Sequence, residues 1–248
     1  MSNNSIAIIS DIHGNRWALE QVLKDIESRG IEKIVNLGDS FYGPLDPLGT
    51  AELLLSRNII SIRGNEDRII VETDNEHGPS PTLKFVRSRL NDEHKNWLAD
   101  LKSTLIFDDI LLCHGTPAND IEYLLWEVTS EGMVCHTPPE KIESLIRNYD
   151  VSLVLCGHSH VPCDLKFPNG KLVVDSGSVG LQAYTDDVPY EYKMSAGTPH
   201  ARYTAMTKID GEWGMERIKL EYDWDAASRM ALANNRKDWA RWLKTGLA

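Results

Sequence analysis

The chain has 248 residues, of which 42% are hydrophobic and 25% are charged, and its formal net charge is −11. These values are typical of a folded globular protein that is large enough to bury a core, and they exclude a disordered chain. The negative charge excludes general nucleic-acid binding, which needs a basic surface. It does not exclude a small phosphorylated substrate, because a bound metal can supply positive charge locally.

No apolar stretch approaches the roughly 18 residues of a membrane span, and the N-terminus lacks the pattern of a secretion signal. The four cysteines form no Cys-x-x-Cys pair. Cys113 and Cys156 lie in apolar, strand-like runs, so we expect them to be buried free thiols in a reducing compartment. The sequence therefore predicts a cytoplasmic protein without a membrane partner.

The first 67 residues alternate short apolar runs with segments of helical spacing, which is typical of a parallel sheet with crossover helices. Polar side chains follow each predicted strand: Asp11 and His13 the first, Asp39 the second and Asn65 the third. The predicted elements are a strand at 6–10, a helix at 16–29, a strand at 33–37, a helix at 47–56 and a strand at 59–62.

The middle of the chain continues with two further strands that end in histidines, His114 after one and His158 and His160 after the other. Thr137 and Glu140 have the spacing of a capping box and predict a helix start. The predicted elements are helices at 82–89 and 92–101, strands at 103–107 and 110–114, a loop at 118–137, a helix at 137–148 and a strand at 151–156.

The remainder predicts antiparallel hairpins around Asn169-Gly170 and Asp210-Gly211, followed by helices from about residue 225. We find no repeat, low-complexity tract or linker that would divide the chain. The sequence therefore predicts one α+β domain over residues 1–248, built from two packed sheets.

Seven side chains at strand ends could hold metal ions. Asp11 and His13 are two apart in an extended segment and therefore face one point. Four imidazoles, two carboxylates and one amide are too many ligands for one structural zinc, and they suit two divalent ions bridged by a carboxylate. The candidate metal ligands are Asp11, His13, Asp39, Asn65, His114, His158 and His160.

Five short motifs carry these side chains, namely Asp11-x-His13, Gly38-Asp39, Gly64-Asn65, His114-Gly115 and Gly157-His158-Ser159-His160. In this order they resemble the motifs of the calcineurin-like metallophosphoesterases, in particular small prokaryotic phosphodiesterases and diadenosine-polyphosphate hydrolases. The resemblance implies a four-layer α/β/β/α sandwich of two mixed sheets. It also implies that Asp11, His13, Asp39 and His160 hold one metal, and Asn65, His114 and His158 the other, with Asp39 shared.

Two positions depart from the family pattern. The third motif usually continues with a histidine that protonates the leaving group, whereas this chain has Glu66 followed by Asp67. Glu66 is therefore either a general acid, which requires a raised pKa, or a residue that holds a ligand. After Asp39 the chain has Ser40 and Phe41 instead of the Asp-Arg-Gly of phosphoprotein phosphatases.

The resemblance further suggests roles around the metals. We expect His114 and Asn65 to contribute to catalysis as well as to metal binding, and Asn15 and Asp67 to position the nucleophile or orient ligands. Other candidates for substrate contact are less specific: three arginines, a serine in a segment like the family's Asn-Pro-Gly-Ser, and side chains that could stack on a base or cap the mouth of the site. They are Arg16, Arg63, Arg202, Ser178, Tyr42, Trp126, Tyr184 and His200.

The sequence thus predicts a dinuclear metal-dependent phosphoesterase that hydrolyses a small phosphodiester, nucleotide or phosphomonoester through a metal-bridging hydroxide, with a diester favoured. Manganese is the first choice of metal because it accepts mixed oxygen and nitrogen ligands, and iron, nickel and zinc are alternatives. Two other functions remain open. One is a protein-interaction scaffold of the same fold with weak catalysis, and the other is a phosphoprotein phosphatase.

Overall fold

A computed structural model describes residues 5–72 and 78–248 of the chain. The first part contains β1 (Ser5–Ile9), α1 (Arg16–Ser28), β2 (Lys33–Asn36), α2 (Pro47–Leu55), β3 (Ile59–Ser61), α3 (Asn65–Val71), α4 (Pro81–Arg89), α5 (Asp92–Asp100), β4 (Thr104–Phe107) and β5 (Ile110–Cys113). The second part contains β6 (Trp126–Val128), β7 (Val134–His136), α6 (Pro139–Ile146), β8 (Leu153–Cys156), β9 (Cys163–Lys166), β10 (Leu172–Asp175), β11 (Ala183–Asp186), β12 (Tyr192–Ser195), β13 (Ala201–Ile209), β14 (Glu212–Leu220), α7 (Trp224–Ala233) and α8 (Lys237–Thr245).

Ten strands form two five-stranded mixed sheets. The first sheet has the order β14-β13-β1-β2-β3, with β1, β2 and β3 parallel and β13 antiparallel to β1. The second has the order β4-β5-β8-β10-β9, with β5, β8 and β10 parallel. The carboxyl ends of parallel strands lie at one edge of a sheet, so the loops that follow them can meet there.

Alternating side chains along the strands separate the core into layers. Ile6 and Ile8 pack between the two sheets against side chains such as Leu155, whereas Ala7 and Ile9 face the helices outside the first sheet. The outer face of the second sheet packs against α6, and the apolar side chains of the two form a separate core cluster. Because successive side chains of a strand point to opposite faces, apolar residues are buried on both faces of each sheet. The result is the predicted arrangement of four layers, α/β/β/α. The fold prediction is confirmed.

Several local predictions also hold. Asp108 and Asp109 join β4 to β5, the 201–220 hairpin forms with nine paired residues on each strand, and α7 begins after Asp223. Cys113 and Cys156 are buried, and all four cysteines are free. Among the helices of residues 5–72 and 78–248, none combines the length and apolar character needed to cross a membrane.

Other local predictions are wrong. The predicted loop at 118–137 contains the hairpin of β6 and β7, and α3 and the hairpin of β11 and β12 were not predicted. These strands have three or four residues each, too few for a clear alternation. The capping box of Thr137 and Glu140 does not form either. The N-cap of α6 is Pro138 and makes no side-chain cap, and the Thr137 hydroxyl has no hydrogen-bond partner among the described residues.

Candidate metal centre

Six of the seven predicted ligands gather at the edge where the parallel strands end. They form two groups of three side chains, and within each group the potential ligand atoms all lie within 4.8 Å of one another. Group one is Asp11, His13 and His160, and group two is Asp39, His114 and His158. The loops after β1, β2, β5 and β8 supply these side chains, so the meeting point depends on the packing of both sheets.

In group one, two imidazoles and a carboxylate point to a common centre. Nε2 of His13 lies 3.0 Å from Nε2 of His160. Oδ1 of Asp11 lies 3.4 Å from Nε2 of His160 and 4.0 Å from Nε2 of His13. All three side chains are almost fully shielded from solvent. Two nitrogens and an oxygen converging in this way are a typical set of donors for a divalent cation.

Group two lies against group one. Oδ2 of Asp39 is 3.3 Å from Nε2 of His114, and the rings of His114 and His158 are 5.1 Å apart between centroids. Oδ1 of Asp11 lies 3.9 Å from Nε2 of His114. Asp39 also belongs to a third candidate group, with His13 and Glu66. Its carboxylate is therefore within reach of donors from both sides.

Hydrogen bonds from the backbone orient the rings. Nδ1 of His114 lies 2.8 Å from the Leu37 carbonyl, and Nδ1 of His13 lies 3.1 Å from the Tyr42 carbonyl. An N–H on Nδ1 that donates to a carbonyl leaves the lone pair on Nε2, as a metal-ligating histidine requires. In His158 the two ring nitrogens exchange these roles. Its Nε2 lies 3.2 Å from the Ile121 carbonyl, so an N–H on Nε2 that donates to this carbonyl leaves the lone pair on Nδ1.

Several buried polar atoms of this centre have no hydrogen-bond partner among the described residues. They include Oδ1 of Asp11, Nε2 of His114 and Oδ1 of Asn65. Buried polar atoms in native proteins nearly always have a partner, so three in one place need an explanation. A divalent cation would satisfy them, because carboxylate, imidazole and amide atoms are its common ligands. The residues present therefore fit bound metal ions.

The backbone at this centre is held in an unusual conformation. Most of the predicted ligands have a positive φ, a region that side-chain-bearing residues rarely occupy and that costs free energy. They are Asp11 (54°), His13 (52°), Asp39 (53°), His158 (70°) and His160 (62°). Such strain concentrates at functional sites, where the surrounding structure holds it in place.

Two glycines allow the loops to approach each other. A Cβ on Gly64 would lie 2.2 Å from Oδ1 of Asp39, and a Cβ on Gly38 (φ 101°) would lie 2.4 Å from the Gly64 nitrogen. Only residues without a side chain fit at these points. The glycines of the Gly-Asp and Gly-Asn motifs therefore serve to bring Asp39 next to the loop after β3.

The charges of the two carboxylates are stabilised by their imidazole neighbours. Burial acts to raise the pKa of Asp11 and of Asp39, but the opposing effect of the histidines is larger. His160 in particular holds the pKa of Asp11 below its usual range, and His114 helps to bring the pKa of Asp39 down to about 2. Both groups are ionised at neutral pH, which is the state that binds a cation.

The histidines divide into two classes. Burial lowers the pKa of His158 to about 4, with His114 adding to the effect, and burial also lowers the pKa of His160. Burial opposes the charge on His13 and His114 as well, but Glu66 raises the pKa of His13 to about 9 and Asp39 raises that of His114 to about 10. A bound cation would replace these two protons, because metal binding and protonation compete for the same lone pair.

Similarity to known proteins identifies the family of this chain. The family model of the calcineurin-like phosphoesterases matches residues 5–162, a range that contains all five motifs. The chain belongs to the calcineurin-like phosphoesterases. It is 26% identical over 256 aligned residues to an uncharacterized protein, MJ0912, of Methanocaldococcus jannaschii, with 96% of each chain covered.

Two solved structures share the fold over nearly the whole chain. One is a metallophosphoesterase from Sphaerobacter thermophilus, which is 23% identical with a TM-score of 0.75, covering 99% of this chain and 100% of the other. The second is the hypothetical protein PH1004 from Pyrococcus horikoshii OT3, which is 22% identical with a TM-score of 0.72 and 98% of each chain covered.

The third motif of this phosphoesterase lies at the start of α3. Asn65 and Glu66 line a cavity of about 190 Å³ that opens onto the metal centre. Oε2 of Glu66 lies 3.0 Å from Nδ1 of His13, and burial raises the pKa of Glu66. Asp67 instead is buried and accepts hydrogen bonds from the backbone N–H groups of Ser40 (2.8 Å) and Gly64 (3.3 Å). Burial, together with the charge of Asp39, raises the pKa of Asp67 to about 7.

Asn15 and Ser178 support the centre from within the protein. The Asn15 side chain caps α1 by accepting from the Ala18 N–H and donates to the Gly180 carbonyl at 2.8 Å. The Ser178 hydroxyl donates to the Asp11 carbonyl at 2.8 Å and accepts from the Leu181 N–H. Both side chains are fully buried, so they are placed to hold the loop of Asp11 and not to contact a substrate.

The three predicted arginines lie elsewhere. Arg16 is on the exposed side of α1 and pairs with Glu20 and Asp46. Arg63 precedes the third motif, and its backbone N–H bonds to Lys102. Arg202 is buried, and its guanidinium donates to the carbonyls of Thr198 and His200. None of the three arginines is among the described residues that line the cavity of the metal centre.

Another arginine at this cavity was not predicted from the sequence. Arg236, which precedes α8, lines the cavity together with Tyr42 and Trp239. Its guanidinium lies 5.3 Å from the Trp239 ring centre and bonds to Asp238 and Thr82. The chain returns to the metal centre here, more than 70 residues after the last motif, and no local pattern in the sequence indicates it.

Proposed function

We propose that this chain is a hydrolase that uses two divalent metal ions to cleave a small phosphodiester. The observation that supports two ions is the position of Asp39. It belongs to one group of candidate ligands with His114 and His158 and to another with His13 and Glu66, and within each group the ligand atoms lie within 4.8 Å of one another. A carboxylate in that position suits a bridge between two ions about 3.5–4 Å apart.

Two different sets of residues would each hold one of the ions. Asp11, His13 and His160 would hold one ion, and His114, His158 and the amide oxygen of Asn65 the other. Glu66 would position His13 through its Nδ1. When bound, the ions would supply a water of lowered pKa and positive charge opposite the phosphate oxygens. Manganese is our first choice for this mixed set of oxygen and nitrogen donors, with iron, nickel and zinc as alternatives.

The charge of the cavity favours a diester over a monoester. Among the described residues that line it, Arg236 is the one with a permanent positive charge, and Asp238 partly neutralises it. A diester carries one negative charge and needs less compensation than the dianion of a monoester. The net charge of −11 argues for a small substrate and against nucleic acid. Free cysteines fit a reducing compartment, and we propose the cytoplasm.

The test is hydrolysis of bis(p-nitrophenyl) phosphate and of p-nitrophenyl phosphate by the purified protein. We expect turnover that requires Mn²⁺, stops with excess chelator and is faster for the diester. His158→Ala should lower kcat/KM by at least about 100-fold. His200→Ala is the matched control, because His200 packs on Trp224 and does not line the cavity.

The outcomes separate the possible functions. Turnover that survives the chelator or His158→Ala would contradict the proposal. Two bound metals without turnover of either ester would favour a scaffold of the same fold. A monoester preference would contradict the diester assignment but not the hydrolase.

A further inference from the structure

A second cavity adjoins the metal centre. Its volume is about 650 Å³, and it shares three wall residues with the cavity of the metal centre: Asn65, His158 and Asp186. The space at the metals, about 190 Å³, suits a phosphate group but is small for a whole nucleotide. A substrate larger than phosphate would therefore extend past His158 into the second cavity.

The wall of the second cavity is largely aromatic and apolar. Tyr123, Trp126 and Tyr192 line it together with Val188 and Pro189. Aromatic side chains of this kind bind flat rings by stacking, and the energy of stacking depends little on which ring is bound. The cavity thus has the composition of a site for an aromatic group.

Contacts behind the wall hold its rings in place. The Tyr123 ring packs on His158, with 4.8 Å between centroids, and its hydroxyl lies 2.5 Å from that of Tyr192. The Tyr123 hydroxyl also bonds to Tyr184, which packs on His160. Ligands of the metal centre and the aromatic wall are therefore parts of one packed unit. A ring bound in the cavity would be fixed relative to the metals.

The hairpin of β6 and β7 supports Trp126. The indole stacks on His136 of the paired strand, with 4.3 Å between centroids and an angle of 25° between the planes. One face of the indole is thus covered, while the residue still lines the cavity. The indole is held as a rigid platform, and a rigid platform loses little side-chain entropy when a ligand binds.

Charge around the cavity excludes an anionic occupant. Glu122, Glu127 and Asp186 line it, and the one cation among the described wall residues, Lys141, pairs with Glu127 at 2.7 Å. A second phosphate in this space would meet like charges without compensation. The occupant should therefore carry no negative charge, and an uncharged aromatic group both meets this condition and suits the aromatic wall.

We propose that this cavity binds an uncharged aromatic group of nucleobase type, which is joined through an ester to the phosphate held at the metals. The inference deepens the proposed function and rests on it for the phosphate end. It defines the substrate class as a diester with a nucleoside on one side, and it excludes a polyphosphate that would extend into this cavity.

The test uses two diesters with the same leaving group, thymidine 5′-(p-nitrophenyl phosphate) and methyl p-nitrophenyl phosphate. In the metal-loaded protein, Trp126→Ala should lower kcat/KM for the thymidine ester about tenfold and leave the methyl ester within about twofold. Trp126→Phe should restore most of the loss. Trp213→Ala is the matched control, because Trp213 lies against Ser152 and lines neither cavity.

A second variant tests the cavity independently, in case Trp126→Ala does not fold. Val188 is 69% exposed, so its replacement should not disturb the fold. Val188→Ser should lower kcat/KM for the thymidine ester alone, by about threefold, because it removes apolar contact. Equal losses for both esters, or no loss for the thymidine ester, would overturn the proposal.

A binding measurement separates failure of the subsite from failure of the proposed function. Thymidine has no phosphate, and calorimetry can follow its binding to the purified protein directly. Binding that weakens about tenfold in Trp126→Ala would support the aromatic site even if the protein hydrolysed neither ester. Thymidine binding that is undetectable, or unaffected by Trp126→Ala, would overturn the site even if both esters were hydrolysed.

Discussion

Nε2 of His13 and Nε2 of His160 lie 3.0 Å apart, although the two residues are 147 positions apart in the sequence. His13 follows β1 of the first sheet and His160 follows β8 of the second. Two ring nitrogens this close need a proton or a cation between them, since their lone pairs otherwise repel. The contact exists because both sheets present the carboxyl ends of parallel strands at one edge.

Glu66→Gln tests how the residue in place of the family's histidine acts. Oε2 of Glu66 is 3.0 Å from Nδ1 of His13, so we expect it to position this ligand. The substitution should weaken metal binding and lower kcat about 10–100-fold. The loss should be the same for p-nitrophenyl and phenyl diesters, which differ in the quality of the leaving group.

A larger loss for the phenyl diester would indicate instead that Glu66 is a general acid, because poor leaving groups depend most on protonation. Glu72→Gln is the control. Glu72 follows the same helix, α3, and its exposed carboxylate pairs with Arg68.

Gly64→Ala tests the close approach of the two loops. The added Cβ would lie 2.2 Å from Oδ1 of Asp39, so this carboxylate must move away from the metal ligands. We expect the affinity for Mn²⁺, measured by calorimetry, to fall at least about tenfold. Gly214→Ala should have no such effect, because its Cβ would be 3.6 Å from the nearest atom. Unchanged affinity in Gly64→Ala would contradict a role of Asp39 in the metal site.

The polar residues at the strand ends could be predicted because the sequence pattern that indicates them is local. A buried strand that ends at a polar residue can be recognised within ten positions of the sequence, and Asp11, Asp39 and His114 were predicted as ligands in this way. Asn65 was expected in a strand-end loop, but it is the first residue of α3. That helix has only seven residues, and its first-turn acids, Glu66 and Asp67, are part of the motif itself.

Features that depend on distant packing could not be predicted. Arg236 reaches the metal centre because α8 folds back over it, and the Trp239 ring then packs on His13 with 5.7 Å between centroids. No spacing in the sequence relates Arg236 or Trp239 to the strand-end motif of His13. Ser178 was predicted as a substrate contact and Asn15 as a residue that positions the nucleophile or orients ligands. Both side chains make their hydrogen bonds inside the protein, because a buried polar side chain must satisfy its own bonds first.

Arg236→Ala tests the cation that faces the cavity. Loss of the guanidinium should raise KM for bis(p-nitrophenyl) phosphate about tenfold and change kcat less, because the charge serves binding. Arg236→Lys keeps the charge but not the planar fork, and it should give an intermediate KM. Arg241→Ala, an exposed position of α8, is the control. An unchanged KM in Arg236→Ala would exclude a contact with the phosphate.

Asp175 should make stability depend on pH. Burial raises its pKa to about 8, and the charge of Asp11 adds to this, while bonds from Ser159 and the Gly177 N–H oppose it. The folded state therefore binds the proton more tightly than the unfolded state. This contribution to stability is complete below about pH 4 and is lost as the pH rises towards 8.

Asp175→Asn removes the titrating group and should flatten this dependence. In urea unfolding with excess chelator, the free energy of unfolding of the wild type should fall between pH 5 and 8 by about 3–4 kcal/mol more than that of the variant. Asp164→Asn, on the surface beside Arg217, is the control. Parallel pH profiles for wild type and Asp175→Asn would contradict the raised pKa.

The most direct test of the account is the number of metal ions per chain. Purified protein would be dialysed to equilibrium against Mn²⁺ and analysed for metal and protein content, with Asp39→Asn and His158→Ala in parallel. We predict two ions per wild-type chain, one in His158→Ala and fewer than two in Asp39→Asn, which has lost the negative charge and one oxygen of the carboxylate. One ion or none in the wild type would contradict a dinuclear centre.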